Sequence, residues 1–315
     1  GINDHQSKLF ESLWSLPRGV SYNSYLVLGG EKKALIDTVK EDFFKEYANR
    51  LRPLTPLEDL DYIVLSHVEP DHAGSLSKIL SEAFKATVVG TAKAIEYVRS
   101  YHRIPFNDMA VQEGAIIDLG GKTLSFIDTS GVHWPETMST YLAEDHILFS
   151  GDLFGSFGAT GDQIFDNRPD IELFKKEAKR YFANVLAPYV TPVKRALKKL
   201  DTLNLPIQVI ASTHGPIYKE NPLEIKNLYA ELSSGRFEEK VVVIYGSMYG
   251  KTRLLGEAVA KGVKVRGVAA SVFDVSYSDV SEILAEVWLA PAVAIGSPVY
   301  LSLIHISEPT RQAEI

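Results

Sequence analysis

His67-Val68-Glu69-Pro70-Asp71-His72 is the stretch on which the reading of this chain turns. It follows directly on Tyr62-Ile63-Val64-Leu65-Ser66, a short apolar run that reads as a buried strand. Ligands in layered α/β folds gather where strands end. Four metal-ligating side chains fall within six residues here, separated only by Val68 and Pro70. Pro70 is expected to prevent a regular helix through the cluster. An extended segment would point His67, Glu69 and Asp71 the same way, with His72 opening the next element from a different angle. One short loop of this kind is able to feed two adjacent metal ions.

Working outward, three more candidates follow later strand-like runs. His133 lies in Ser130-Gly131-Val132-His133-Trp134-Pro135, Asp152 in Phe149-Ser150-Gly151-Asp152, and His214 in Ser212-Thr213-His214-Gly215-Pro216. Each stands at a strand-to-loop junction beside Gly or Pro. Four of the eight histidines thus occupy positions of one kind. A lone histidine there reads as a hydrogen-bonded or surface residue; an ordered set of seven donors reads as a metal site. The set holds four imidazoles and three carboxylates and no thiolate, because the chain has no cysteine. Zinc usually takes fewer carboxylates. An oxygen-rich set with imidazoles suits non-haem iron or manganese, and two metals sharing a carboxylate are able to hold a small molecule between them.

The flanking pattern is mixed α/β. Ser24–Leu28 and Ala34–Thr38 read as a hairpin across Gly29-Gly30-Glu31. Helices are expected over 41–52, 74–84, 91–102 and 223–232, and over 169–200 with breaks near Pro188 and Pro192. Residues 233–240, Ser-Ser-Gly-Arg-Phe-Glu-Glu-Lys, form a polar linker. Beyond it the strand Val241–Tyr245, a helix from about Lys251, the strand Ala269–Val275, the helix Ser278–Trp288 and the strand Ala292–Gly296 alternate. Alternating helices and fully apolar strands predict a parallel, doubly wound sheet.

Gly246-Ser247-Met248-Tyr249-Gly250-Lys251-Thr252 joins the first of these strands to its helix. Backbone N–H groups and hydroxyls at a helix start favour a phosphate dianion. Gly-Lys-Thr suggests a nucleotide P-loop, but that motif needs four residues between its glycines and only three lie between Gly246 and Gly250.

Composition bounds the alternatives. At roughly 100–200 residues per domain, 315 residues predict two domains. Lys+Arg of 33 against Asp+Glu of 40 gives 33 − 40 = −7, which with the lack of a basic run argues against nucleic acid as the main partner. The absence of cysteine rules out disulfides, zinc fingers, thiolate clusters and a cysteine nucleophile in these residues, and it fits a reducing cytoplasm. No apolar run approaches the ~18–20 residues of a membrane span, and no basic-then-apolar leader opens the chain. The chain starts at Gly1, and residues 301–311 read LSLIHISEPTR. That string reads as the forward translation of a transposase sequencing adapter, against the alternative of a genuine tail. The native text is therefore expected to stop at Tyr300, with residues 301–315 excluded from fold reasoning.

The H-x-E-x-D-H loop, followed by His, Asp and His at widening spacings, resembles the metallo-β-lactamase fold. Hydrolases of that fold carry His at the third loop position, where this chain has Glu69. That exchange, with Asn23-Ser24-Tyr25-Leu26, His133-Trp134-Pro135-Glu136-Thr137-Met138 and the Gly246–Gly250 segment, resembles the flavodiiron proteins, or A-type flavoproteins. The resemblance implies a metallo-β-lactamase-like αββα sandwich over 1–236, followed by a truncated flavodoxin-like doubly wound parallel sheet over 237–300.

It further implies two non-haem irons, one held by His67, Glu69 and His133 and the other by Asp71, His72 and His214, with Asp152 bridging. All seven positions are filled, which disfavours the family branch whose diiron ligands are replaced. FMN would meet Ser247, Met248, Tyr249, Gly250, Lys251 and Thr252 with its phosphate, and Ser297, Pro298, Val299 and Tyr300 with its ring. The flavin site is expected to be incomplete, so that residues 1–315 bind FMN poorly. The implied activity is reduction of nitric oxide to nitrous oxide, of dioxygen to water, or both, with electrons relayed through FMN. A rubredoxin-like or reductase donor and a head-to-tail homodimer belong to the same implication. The main alternative is a zinc hydrolase of the metallo-β-lactamase fold with an accessory flavodoxin-like module, against which Glu69 counts. A third is a metal-binding, redox-silent scaffold, against which the filled ligand positions count.

Overall fold

The computed structural model describes residues 1–299; Tyr300 and the expected adapter segment 301–315 lie outside the described residues. Contacts divide the chain into two compact units, Gly1–Ser234 and a second that starts at Gly235.

The first unit opens with two small antiparallel pairs. Strands β1 (Ile2–Asp4) and β4 (Val20–Tyr22) pair with each other, as do β2 (Leu9–Phe10) and β3 (Trp14–Ser15). One five-stranded sheet then runs β5 (Tyr25–Leu28), β6 (Lys33–Ile36), β7 (Tyr62–Val64), β8 (Thr87–Gly90) and β9 (Asn107–Ala110) in that order. Its first pair is antiparallel and the rest parallel. Helices α1 (Phe44–Leu51), α2 (Pro70–Ala73), α3 (Leu76–Glu82) and α4 (Ala92–His102) lie between these strands in sequence. Thr91 starts α4 by accepting the Ala94 N–H at 3.2 Å, and Arg103 ends it in the left-handed region at φ 52°.

A second five-stranded sheet contains β10 (Ile116–Asp118), β11 (Thr123–Asp128), β12 (Met138–Leu142), β13 (Ile147–Gly151) and β14 (Val209–Ser212). Its strands are antiparallel up to β13, and β14 joins β13 in parallel. Helices α5 (Ile171–Tyr181) and α6 (Val190–Leu203) precede β14, and α7 (Pro222–Ser234) follows it. Val27, Ile36, Val64 and Val89 of the first sheet pack with Leu124, Phe126, Leu142 and Phe149 of the second in one buried cluster. This is the αββα sandwich: each sheet buries one face on the other and has helices in its connections.

Among the described residues the second unit holds three parallel strands in the order β16 (Ala269–Asp274), β15 (Lys240–Tyr245), β17 (Ala292–Gly296). Helices α8 (Lys251–Val265) and α9 (Val280–Trp288) form the crossovers, as a doubly wound sheet requires.

Two local expectations are corrected. The metal loop is not extended through Asp71, because α2 begins at Pro70. Proline's missing N–H is an orphan at the first helical position anyway, and its φ is preset for a helix, so Pro70 starts the turn that it was expected to prevent. Pro192 likewise sits in the first turn of α6 and breaks nothing, whereas Pro188 does fall in the irregular stretch between α5 and α6. Strand β9 was not foreseen: Asn107-Asp108-Met109-Ala110 is exposed throughout and carries no apolar alternation.

Candidate metal centre

The topology places the donors together. Strands β11, β13 and β14 run the same way, since β12 is antiparallel to both β11 and β13. Their C-terminal ends therefore share one edge of the second sheet, and His133, Asp152 and His214 follow those ends. A register shift between Phe149 and Gly151 falls at the end of β13, immediately before Asp152. Such irregularities turn a strand end and re-aim the side chain that follows. The Met138 N–H donates to the Ser66 carbonyl at 2.9 Å, tying this edge to the loop after β7 that carries His67 and Glu69.

All seven predicted donors converge, in two groups: His67, Glu69, His133 and Asp152 in one, Asp71, His72 and His214 in the other. Asp152 joins them. Its Oδ2 lies 3.0 Å from His67 Nε2 and 3.1 Å from His133 Nε2, and its Oδ1 lies 3.1 Å from His72 Nε2 and 3.3 Å from His214 Nε2. Glu69 Oε2 stands 3.2 Å from His133 Nε2, and Asp71 Oδ2 stands 3.3 Å from His214 Nε2. Because α2 turns the chain after Glu69, Glu69 and Asp71 serve different groups rather than one side of an extended loop.

The fit to metal ions can be tested on the donors themselves. His72 Nε2, His214 Nε2 and both Asp71 oxygens are buried and make no hydrogen bond, although each nitrogen has carboxylate oxygens within 3.5 Å. The atoms aim at common points rather than at one another. Donors ~2.1 Å from one ion in near-octahedral array are about 3 Å apart, which is the spacing found. Electrostatics point the same way. Burial works to raise Asp71 and Asp152, but neighbouring imidazoles outweigh it, His72 and His214 at Asp71 and chiefly His72 and His67 at Asp152, and hold both below the ordinary carboxylate range. Burial works to lower His133, but Asp152 and Glu69 overcome it and hold the ring at about 11; Asp152 and Asp71 do the same for His214, at about 9. The buried carboxylates thus favour positive charge at the centre. The residues present fit a pair of cations.

Supporting residues fix the donors. His214 Nδ1 lies 2.9 Å from the Ser21 carbonyl, and Thr213 Oγ1 donates to Asp152 Oδ1 at 2.7 Å. Asp37 accepts the Ser66 N–H at 2.7 Å and has its other oxygen 3.8 Å from His72 Nδ1. Gly215 has φ 82°, and a Cβ there would stand 2.0 Å from Ser156 Oγ, so only glycine lets the chain pass behind His214. The sequence reading missed Thr213, Asp37 and Glu11. Adjacency to a ligand was the available signal for Thr213, and a charge closing an apolar strand was the signal for Asp37. Glu11 had no signal. It sits on the turn between β2 and β3 as a solvent-exposed residue, and partial desolvation of its carboxyl, with Glu69 beside it, pushes that carboxyl up to about 8.

The two groups differ in their surroundings. The His214 ring is edged by Phe10, Tyr22 and Tyr181, all buried, at centroid distances of 5.3, 5.7 and 5.7 Å. Trp134 is half-buried and lies 5.7 Å from the His67 ring, so it walls the centre instead of belonging to the core.

In the second unit, Ser247, Met248 and Tyr249 lie in the loop between β15 and α8, the last two exposed, and Gly250 caps α8 at φ 78° with open space where a Cβ would point. Ser247 Oγ accepts the Arg253 N–H at 3.3 Å. Lys251 and Thr252 open the helix. The Gly246 N–H donates to the Gly296 carbonyl at 3.0 Å, which sets Ser297, Pro298 and Val299 beside the phosphate-type loop. Tyr300, expected with them, is outside the described residues.

A family model described as "ODP family beta lactamase" matches residues 20–215. The anaerobic nitric oxide reductase flavorubredoxin of Escherichia coli O1:K1 is 37% identical over 284 residues, 89% of this chain and 59% of that protein. The rubredoxin oxygen:oxidoreductase of Desulfovibrio gigas superposes with a TM-score of 0.92 at 26% identity, over 97% of this chain and 77% of that one. The flavodiiron protein of Giardia intestinalis superposes at 0.89 with 30% identity, over 94% of this chain and 72% of that one. The chain spans about 59% of the length of the curated relatives that it matches.

Proposed function

The chain belongs to the flavodiiron protein family, and from that premise we propose that residues 1–236 hold two non-haem irons while residues 237–300 begin an FMN-binding flavodoxin-like domain. In this reading His67, Glu69 and His133 hold one iron, Asp71, His72 and His214 hold the other, and Asp152 bridges them. Irons held there, supplied with electrons through FMN, would provide the redox chemistry for reduction of nitric oxide to nitrous oxide, of dioxygen to water, or both. The observation that carries the reading is Asp152: its two oxygens face two separate groups of imidazoles, all within 3.3 Å, in a fully buried setting.

The chain's own residues bind and orient. Thr213 holds one oxygen of Asp152, and Ser21 and Asp37 face the second nitrogens of His214 and His72. Phe10, Tyr22 and Tyr181 exclude water from one side of the centre. Ser247, Met248, Tyr249, Gly250, Lys251 and Thr252 would cradle the flavin phosphate, and Ser297, Pro298, Val299 and Tyr300 would meet its ring. A rubredoxin-like or reductase electron donor, a head-to-tail homodimer that brings one subunit's flavin to its partner's irons, and a cytoplasmic setting complete the proposal. No helix among the described residues is long and apolar enough to cross a membrane.

The zinc-hydrolase alternative is disfavoured by Glu69, which adds a third carboxylate to the donor set, and by the redox character of the relatives. The test uses the full-length protein, with iron and FMN loaded. Anaerobic stopped-flow should show consumption of nitric oxide or dioxygen tied to flavin reoxidation. Two bound zincs with turnover of an ester or lactam, and no oxidant consumption, would overturn the assignment.

A further inference from the structure

Glu136 is a buried carboxylate that the reading above leaves without a task. It is 1% exposed and forms no ion pair among the described residues. Its Oε1 accepts a single hydrogen bond, from the Val68 N–H at 3.2 Å, and its Oε2 is buried with no hydrogen-bond partner. An isolated buried carboxylate is costly to keep. A neutral side chain would serve better if packing were all that was needed.

The placement of its one partner explains the residue. Val68 stands between His67 and Glu69, two donors of one metal group. The backbone about Glu136 is itself pinned: its carbonyl accepts Thr91 Oγ1 at 3.0 Å, and the Met138 N–H reaches Ser66 at 2.9 Å. The carboxylate is therefore a fixed post, and the loop between two ligands is tied to it. Holding the Val68 N–H limits rotation of the backbone on both sides, and with it the directions in which His67 and Glu69 aim. Outer partners of this kind commonly set the affinity of a metal site as strongly as a ligand contact does.

We propose that Glu136 is a positioning residue of the metal centre, acting through the Val68 N–H to hold His67 and Glu69 in register for the first group. The inference rests on the diiron reading. It assigns the effect to the acceptor atom, so an amide should replace the carboxylate.

The test uses the full-length protein, stripped of metal and titrated with cobalt(II), whose visible bands report the ligand field of each site. Glu136→Ala should weaken the first-filled or second-filled step assigned to His67, Glu69 and His133 by about 10- to 100-fold and alter its bands. The step assigned to Asp71, His72 and His214 should keep its bands. Glu136→Gln should restore both affinity and spectrum, a rescue that a purely space-filling role does not predict. If Glu136→Ala does not fold, Val68→Pro removes the donor and leaves the carboxylate in place, and it should disturb the same step. Unchanged bands and affinity in Glu136→Ala, or equal damage in Glu136→Gln, would overturn the proposal. Failure of the wild-type protein to bind two metals would instead overturn the diiron reading beneath it.

Discussion

Strand β12 of the first unit is buried at all five positions, whereas β16 of the second unit has no buried residue at all and Ile295 on β17 is 80% exposed. Both units are α/β and both carry a ligand-type loop at strand ends. They differ in closure. The first unit presses two five-stranded sheets together and builds its site from the edge of that closed core. The second presents, among the described residues, three strands with a shaped phosphate-type loop at their ends. The contrast teaches that donors converging inside a packed core form a site complete within its own unit, whereas a cradle at the rim of a sheet depends on whatever completes that sheet.

The sharpest way to break this contrast is at Asp152. Asp152→Ala removes the one residue common to both donor groups, so metal analysis after anaerobic iron loading should show loss of most of the iron. Retention of two irons per chain would mean that the groups are independent. The next effect lies in the second unit. Residues 1–315 should bind FMN far more weakly than the full-length protein in a fluorescence-quenching titration, and tight stoichiometric uptake by residues 1–315 would show the open sheet to be sufficient.

Smaller effects sharpen the same comparison. Phe126→Ala, in the core between the two sheets, should cost about 3–5 kcal/mol in denaturant unfolding. Thr213→Val keeps the shape but removes the hydroxyl held by Asp152, and it should lower iron affinity by ~10-fold with little change in the unfolding midpoint. Ile295→Ala in residues 1–315 should fall within ~0.5 kcal/mol of the parent. A core-sized loss there would show that β17 is packed after all.

Much of the site was legible because its chemistry is concentrated. His67, Glu69, Asp71 and His72 share one loop, and His133, Asp152 and His214 each follow an apolar run, a pattern that periodicity and residue type suffice to mark. The N-terminal strand pairs and β9 were not legible, since runs of two to four residues are too short for a periodicity to register. Pro70 misled because one residue type both breaks and starts helices, and only its position in the turn decides which.

The order and kind of the donors, the absence of thiolates and the change of pattern after residue 240 belong to the sequence by itself, since each is a property of residues near one another along the chain. The pairing of Glu69 with His133 and of Asp71 with His214, and the place of Asp152 between the two groups, were implied by the family resemblance and are produced by the tertiary structure, whereas the tie from Glu136 to Val68 was visible only there. His67 and Asp152 are 85 residues apart and meet at 3.0 Å. Only the closing of two sheets on one core brings such distant strand ends to a single edge, and no local pattern encodes which donor then faces which.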